Sequence, residues 1–205
     1  YSHYTSLIDC SLSQRAMNRI TRLRLVGAGT NTSGADHTNP SETLDPDAQL
    51  FRRYARYIAF IGLRLLGNQS DADDLVQRVF LDAFKRRDQL RDPGAIRGWL
   101  ATIAVRTARR QLRRRRLRQF VGLEDRGALE LSDCGLSPDK RALLTRVYEV
   151  LDEVPIDQRL AWTLRHVEGE KLDQVAERCG CSLATAKRRI AAAHAHLQAE
   201  MMDDG

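Results

Sequence analysis

Cysteine is scarce in this chain. Four cysteines in 205 residues, at positions 10, 134, 179 and 181, are too few and too scattered for a disulfide scaffold. They point instead to a reducing compartment. Long hydrophobic runs are also missing. None approaches the roughly 18 residues needed to cross a bilayer, which excludes direct membrane insertion. No stretch alternates apolar and polar residues for long, which argues against strands. There is no phosphate-binding glycine loop, no H-E-x-x-H, no G-x-S-x-G and no pair of carboxylates in a recognisable catalytic frame. Those absences set an enzyme aside, and no cofactor is expected.

Acid is missing locally. Residues 106–118 read RTARRQLRRRRLR, eight arginines without one Asp or Glu. Lys+Arg 33 minus Asp+Glu 27 gives +6 for the chain, so everything outside this segment sums to −2. A net positive charge confined to one short segment marks a polyanion partner. The bland alternatives are a solvated helix face or a basic tail. Eight cations in 13 residues repel one another, so without a polyanion this helix end should fray.

What is present is helical periodicity. Residues 1–43 are rich in Ser, Thr, Asn and Gly and read as a disordered tail. Met17 is a candidate internal start, and the arginines from Arg15 to Arg24 precede too short an apolar run for a targeting peptide. From Leu50 the face Leu50, Phe51, Tyr54, Ala55, Ile58, Ile61 and Leu65 is apolar, and Gly67 stands where that helix would end. Ser70 or Asp71 can cap the next helix, whose stripe is Ala72, Leu75, Val76, Val79, Phe80, Ala83 and Phe84. Asp92-Pro93 opens a third helix, with Ile96, Trp99, Leu100, Ile103, Ala104, Thr107, Ala108 and Leu112 on its stripe; the stripe favours Trp99 as core, and the alternative is that it lines a pocket for an unstacked base. This helix runs directly into the arginines.

Residues 119–136 lose the period and read as a flexible linker. Ser137-Pro138 opens a second helical set with Leu143, Leu144, Val147, Tyr148 and Leu151 on its face. After Pro155 come a helix from Ile156 to Val167 ended by Gly169, a short one from Leu172 to Cys179 closed by Gly180, and a last one capped by Ser182 and running to Glu200. Short helix, glycine turn and capped helix make a helix-turn-helix, with Ala176 small at the crossing and Ala186 and Ile190 turned inward. The expected fold is all-α, two small helical domains (44–118 and 137–200) joined by a linker, the second a helix-turn-helix.

One pattern is a decoy. Cys179, Cys181, His194 and His196 spell C-x-C-x12-H-x-H, which mimics a zinc finger. The inner spacings are too short, and 13 residues of helix hold Cys181 and His194 roughly 20 Å apart. No metal is expected. Cys179 reads as a small buried hydrophobe and Cys181 as a candidate redox thiol.

Taken together, the segments resemble a bacterial sigma factor of the extracytoplasmic-function class, in the sigma-70 family. DADDLVQRVFLDAF is similar to the helix of sigma domain 2 that docks on RNA polymerase. GWLATIAVRTARRQLRRRRLR is similar to the helix that engages the minus-ten element. LDEVPIDQRLAWTLRHVEGEKLDQVAERCGCSLATAKRRIAAAHAHL is similar to sigma domain 4, which reads the minus-thirty-five element. The resemblance covers about residues 48–118 and 138–199, in order.

It implies a dissociable specificity subunit, working in the bacterial cytoplasm with three partners: the core polymerase, through its β′ clamp helices; promoter DNA; and an anti-sigma protein. It places Asp74, Gln77 and Phe80 at the clamp helices, although Phe80 is also on the apolar stripe. It places Arg106, Arg109, Arg110, Arg113, Arg114, Arg115 and Arg116 along the minus-ten strand. Thr185, Lys187, Arg188 and Arg189 fall in the first turns of a groove-reading helix. Some positions depart from the pattern. Arg78 replaces a usual glutamate, Arg106 a small polar residue, and Arg188 a frequent serine. Ala191, Ala192, Ala193 and His194 stand where larger or basic side chains are common, which implies an unusual or weak upstream contact. A stand-alone helix-turn-helix regulator is the main alternative, and residues 72–84 discriminate, since a simple repressor has no use for a docking helix.

Overall fold

The computed structural model describes residues 46–90, 92–122 and 137–203 of the chain. The expected tail at 1–43 and residues 123–136 of the expected linker lie outside them. Among the described residues there are seven α-helices, two 3-10 turns and no strand.

Helix α1 spans Pro46–Leu66, starting one turn before the apolar face that announces it. It ends as the sequence reading expects: Gly67 takes φ 84° and its N–H closes on the Leu63 carbonyl at 2.8 Å. Helix α2 spans Gln69–Lys85. Its cap is neither Ser70 nor Asp71 but Asn68, whose Oδ1 accepts from the Asp71 N–H at 2.7 Å while its Nδ2 donates to the Asp71 carboxylate at 2.7 Å. Asn68 wins because that double bond satisfies a free helix N–H and a carboxylate together.

The two helices approach closely at Gly62. A Cβ there would lie 3.3 Å from the Ala72 Cα and 3.3 Å from the Leu75 side chain. Backbone cannot retreat, so Gly62→Val should destabilise the fold by about 1–3 kcal/mol. Urea denaturation of the full chain measures it, and an unchanged midpoint would contradict the close approach.

Asp92 accepts from the Gly94 N–H at 2.8 Å and starts a 3-10 turn, Pro93–Ala95, that leads into α3, Ile96–Phe120. Helix α3 runs through all eight arginines and two residues past the expected boundary. Gly122, at φ 69°, follows the helix end. Several of these arginines face carboxylates elsewhere in the chain.

The second set comprises α4 (Pro138–Glu153), α5 (Ile156–His166), α6 (Leu172–Cys179) and α7 (Leu183–Asp203). Between α6 and α7 the turn is a Schellman closure. Gly180 sits at φ 63°, its N–H bonds to the Glu177 carbonyl at 3.1 Å, and the Cys181 N–H reaches the Ala176 carbonyl at 3.0 Å. Ala186, Ile190, Ala193 and Leu197 form the buried stripe of α7. The helix-turn-helix is therefore present, built on the residues expected to build it.

Helices α1, α2 and α3 pack on one another. Helix α7 packs mainly on α5, with α4 and α6 beside it. The two sets also touch, α3 against α5 and α6, and α1 against α5. Among the described residues no helix is long and apolar enough to cross a membrane.

Candidate nucleic-acid interface

The buried stripe of α3 fixes which arginines face out. Leu100, Ala101, Ala104, Val105, Ala108 and Leu112 are inside, with Thr107 and Gln111 also buried. Arg106, Arg113 and Arg114 are exposed and form no ion pair among the described residues. Arg110, also exposed, donates to Asp82 on α2 at 3.1 Å and to the Thr107 hydroxyl at 3.2 Å.

Arg109, Arg115 and Arg116 face the second helical set. Arg109 donates to the Cys179 carbonyl at 2.8 Å, and its Nε forms an ion pair with the Asp157 Oδ1 at 2.8 Å, at an angle that is not a hydrogen bond. Arg115 lies 3.5 Å from Asp152 and 3.9 Å from Asp71. Arg116 donates to the Asp152 and Val154 carbonyls at 2.8 and 2.9 Å. Carboxylates thus meet Arg109 and Arg115, and backbone carbonyls meet Arg109 and Arg116. Some of the anionic and carbonyl partners of this helix come from the same chain.

On α7, the first turn is organised by Ser182. Its Oγ accepts from the Thr185 N–H at 3.2 Å and lies 2.9 Å from the Thr185 hydroxyl. Opposite the buried stripe, Ala184, Lys187, Arg188, Ala191, Ala192 and Ala195 are exposed. Lys187 and Arg188 therefore present free cations beside methyl groups, chemistry suited to phosphates and to thymine methyls in a major groove. Arg189 is turned away from this face and donates to the Asp157 Oδ2 at 3.2 Å.

A third surface lies on α2. Asp74 and Gln77 are exposed, and Arg78 reaches Asp74 at 3.5 Å. Phe80 is not with them. It is 2% exposed, edge-on to Phe51 at 4.8 Å between ring centroids and 5.9 Å from Phe84. Its apolar stripe has taken it into the core. Sequence reasoning missed Leu81, which is 57% exposed and shares the outward face of Asp74 and Gln77 at i+7 and i+4. Its absence from the stripe was the available signal. Trp99 is half-buried and packs against the core.

The cysteine–histidine pattern gathers no ligand set. His194 stacks on His166 at 5.4 Å, His196 lies 3.8 Å from Glu153, and no cluster of three or more ligating side chains exists among the described residues. Burial, then His194 and Arg165, holds His166 below the ordinary imidazole value. Cys179 is buried, and that burial pushes its thiol up to about 11, against the pull of Arg109. Cys181 is half-exposed. In the native chain at pH near 8, iodoacetamide should modify Cys181 and spare Cys179, because only the thiolate reacts. Peptide mass spectrometry reads this, and equal labelling would contradict the burial.

Two family models match the chain: Sigma-70 region 2 over residues 50–118, and Sigma-70 region 4 over residues 144–197. Each covers one of the two basic helices. The ECF RNA polymerase sigma factor SigE of Mycolicibacterium smegmatis is 31% identical over 165 residues, 78% of this chain and 63% of that protein. The ECF RNA polymerase sigma factor EcfG of Rhodopseudomonas palustris is 32% identical over 145 residues, 70% of this chain and 78% of that protein. In fold, the chain is similar to the sigma factor RpoE of Bartonella quintana, solved with the anti-sigma factor NepR. The TM-score is 0.60 with 24% identity, over 77% of this chain and 98% of that one. The chain belongs to the extracytoplasmic-function sigma factors of the sigma-70 family.

Proposed function

We propose that the chain is a dissociable promoter-specificity subunit of bacterial RNA polymerase, acting in the cytoplasm. Asp74, Gln77 and Leu81 on α2 dock on the β′ clamp helices of the core enzyme, held in place by Phe80 beneath them. The outward arginines of α3, with Arg106, Arg113 and Arg114 foremost, grip the phosphates of the non-template strand around the minus-ten element. Arg109, Arg110, Arg115 and Arg116 join them once released from their present partners. Helix α7 enters the major groove at the minus-thirty-five element. There Lys187 and Arg188 contact bases and phosphates, Thr185 lies at the helix N-terminus where backbone N–H groups can meet a phosphate, and Arg189 supports from the side. No bond is made or broken by this chain; the polymerase carries out the chemistry.

The observation that carries this reading is the occurrence, on one chain, of a docking face and two cationic helices in the two segments that match sigma-70 regions 2 and 4. A stand-alone regulator would leave the face of Asp74, Gln77 and Leu81 unused. An anti-sigma protein is the remaining partner, as the sigma factor of Bartonella quintana has in NepR. Asp74→Lys reverses charge on an exposed position and should reduce retention on immobilised core polymerase at least tenfold, with the melting temperature unchanged. Full retention would remove Asp74 from the interface.

A further inference from the structure

Cations and aromatic rings alternate on a face of the first helical set that the proposed contacts leave unused. Helix α1 carries four arginines and one acid, Asp47, which Arg87 meets at 2.8 Å. Arg53, Tyr57, Phe60 and Arg64 recur at i, i+4, i+7 and i+11, so they share one side of the helix with Arg56. Arg53 lies over the Tyr54 ring, 5.5 Å from its centroid, and Arg56 over Phe60 at 5.6 Å. The closest of these contacts joins two helices. The Arg97 guanidinium, from the first turn of α3, stands 4.4 Å from the centre of the Tyr57 ring. Such contacts occur about once per 70–80 residues in folded proteins. Here α1, with 21 residues, takes part in four.

The rings are anchored, and the cations face out. Tyr54, Tyr57 and Phe60 are half-buried and pack against the core. Arg52, Arg53, Arg56 and Arg97 are exposed, and Arg52, Arg53 and Arg97 meet no carboxylate among the described residues. Arg64 ends the surface, since it pairs with Glu168 at 3.1 Å. A guanidinium is flat, so one laid on a ring keeps a second face for another π system. An unpaired nucleotide offers both things this surface can use: a planar base to stack and a phosphate to pair. An acidic peptide would satisfy the charge alone.

Resting on the DNA-binding role proposed above, we propose that the Arg97–Tyr57 pair is a stacking platform for one unpaired base of an opened promoter strand, with Arg53 and Arg56 holding the flanking phosphates. Arg97 precedes Arg106 by nine residues, about two and a half turns, so the two side chains leave α3 on opposite sides. A strand gripped at Arg106 reaches Tyr57 by rounding the start of the helix. Pro93, Gly94, Ala95 and Gly98 are exposed there, and none carries a long side chain. A Cβ added at Gly98 would meet nothing within 4 Å, so the path is open.

Two substitutions in the full chain test this. Tyr57→Leu removes the ring but keeps an apolar side chain and the charge, and Tyr57→Phe, which keeps the ring, is its control. Arg97→Lys keeps the charge and removes the flat guanidinium at an exposed position, so it decides the matter even if Tyr57→Leu unfolds. Two labelled probes of equal length are compared by anisotropy: single-stranded oligothymidylate, and the same sugar-phosphate strand without bases. The wild type should prefer the base-bearing strand about tenfold. Tyr57→Leu and Arg97→Lys should lose most of that preference with affinity for the abasic strand unchanged, and Tyr57→Phe should match the wild type. A wild-type preference in Arg97→Lys, or an equal loss on both probes, would overturn the platform and leave a surface that senses charge alone. If both substitutions behave as expected but core polymerase does not retain the chain, the platform stands and the specificity-subunit reading fails. If the chain directs transcription and Arg97→Lys still prefers bases, the platform alone fails.

Discussion

Replacing Arg113 and Arg114 with alanine should weaken promoter binding by on the order of tenfold per side chain at moderate salt, whatever the sequence of the minus-ten element. Both are exposed on α3 and pair with nothing among the described residues, so they are free to displace counterions from a strand. Each arginine removed from a phosphate should flatten the dependence of log affinity on log salt by roughly 0.7 for single-stranded DNA. The double variant should therefore lose a little over one unit of slope. Stability should hold or rise, since two like charges leave a crowded helix. Filter binding or anisotropy across a salt series measures the slope, and a wild-type slope would count against a phosphate role for this helix.

The second large effect is expected on α7. Lys187→Ala with Arg188→Ala removes both exposed cations of the outward surface proposed to enter the groove, while leaving the buried stripe of Ala186, Ile190, Ala193 and Leu197 intact. A side chain that reads a base contributes about 1–3 kcal/mol of discrimination. Transcription should thus fall by roughly ten- to a hundredfold on promoters that depend on the upstream element. Promoters that lack the element should be little affected. Equal losses on both would move these residues from sequence reading to general affinity. Only methyl groups follow on the exposed face at Ala191, Ala192 and Ala195, so no further cation there can compensate.

The sequence made most of the local structure legible, because local structure has local causes. The stripe from Ala72 to Ala83 is buried as its spacing requires. Gly67 and Gly180 stand at positive φ where the chain must turn, and Gly169 does so before α6. The errors have physical reasons. Asn68 took the cap because its side chain can both accept from and donate to Asp71, a reciprocity that residue preferences do not reveal. Phe80 read as a candidate contact and as core, and its ring contacts with Phe51 and Phe84 resolve it as core.

The packing of one helical set on the other was not legible at all. It rests on Arg159, Asp152, Asp157 and Arg109, residues separated by up to 94 positions from the groups they meet. Charged side chains leave no periodic trace of a distant partner. Arg159 read from sequence is one more surface arginine, and in the fold it is among the most buried polar residues. The arginine run itself was legible as a demand for negative charge. What the sequence could not show is that the chain supplies some of that charge from within.

Run-off transcription with purified core polymerase on a random-promoter library is the decisive experiment for a specificity subunit. Transcripts should start at defined positions only when both core enzyme and this chain are present. Selected templates should share two elements spaced for the minus-ten and minus-thirty-five contacts. Scattered or absent starts, or DNA selection that is the same without polymerase, would contradict that role.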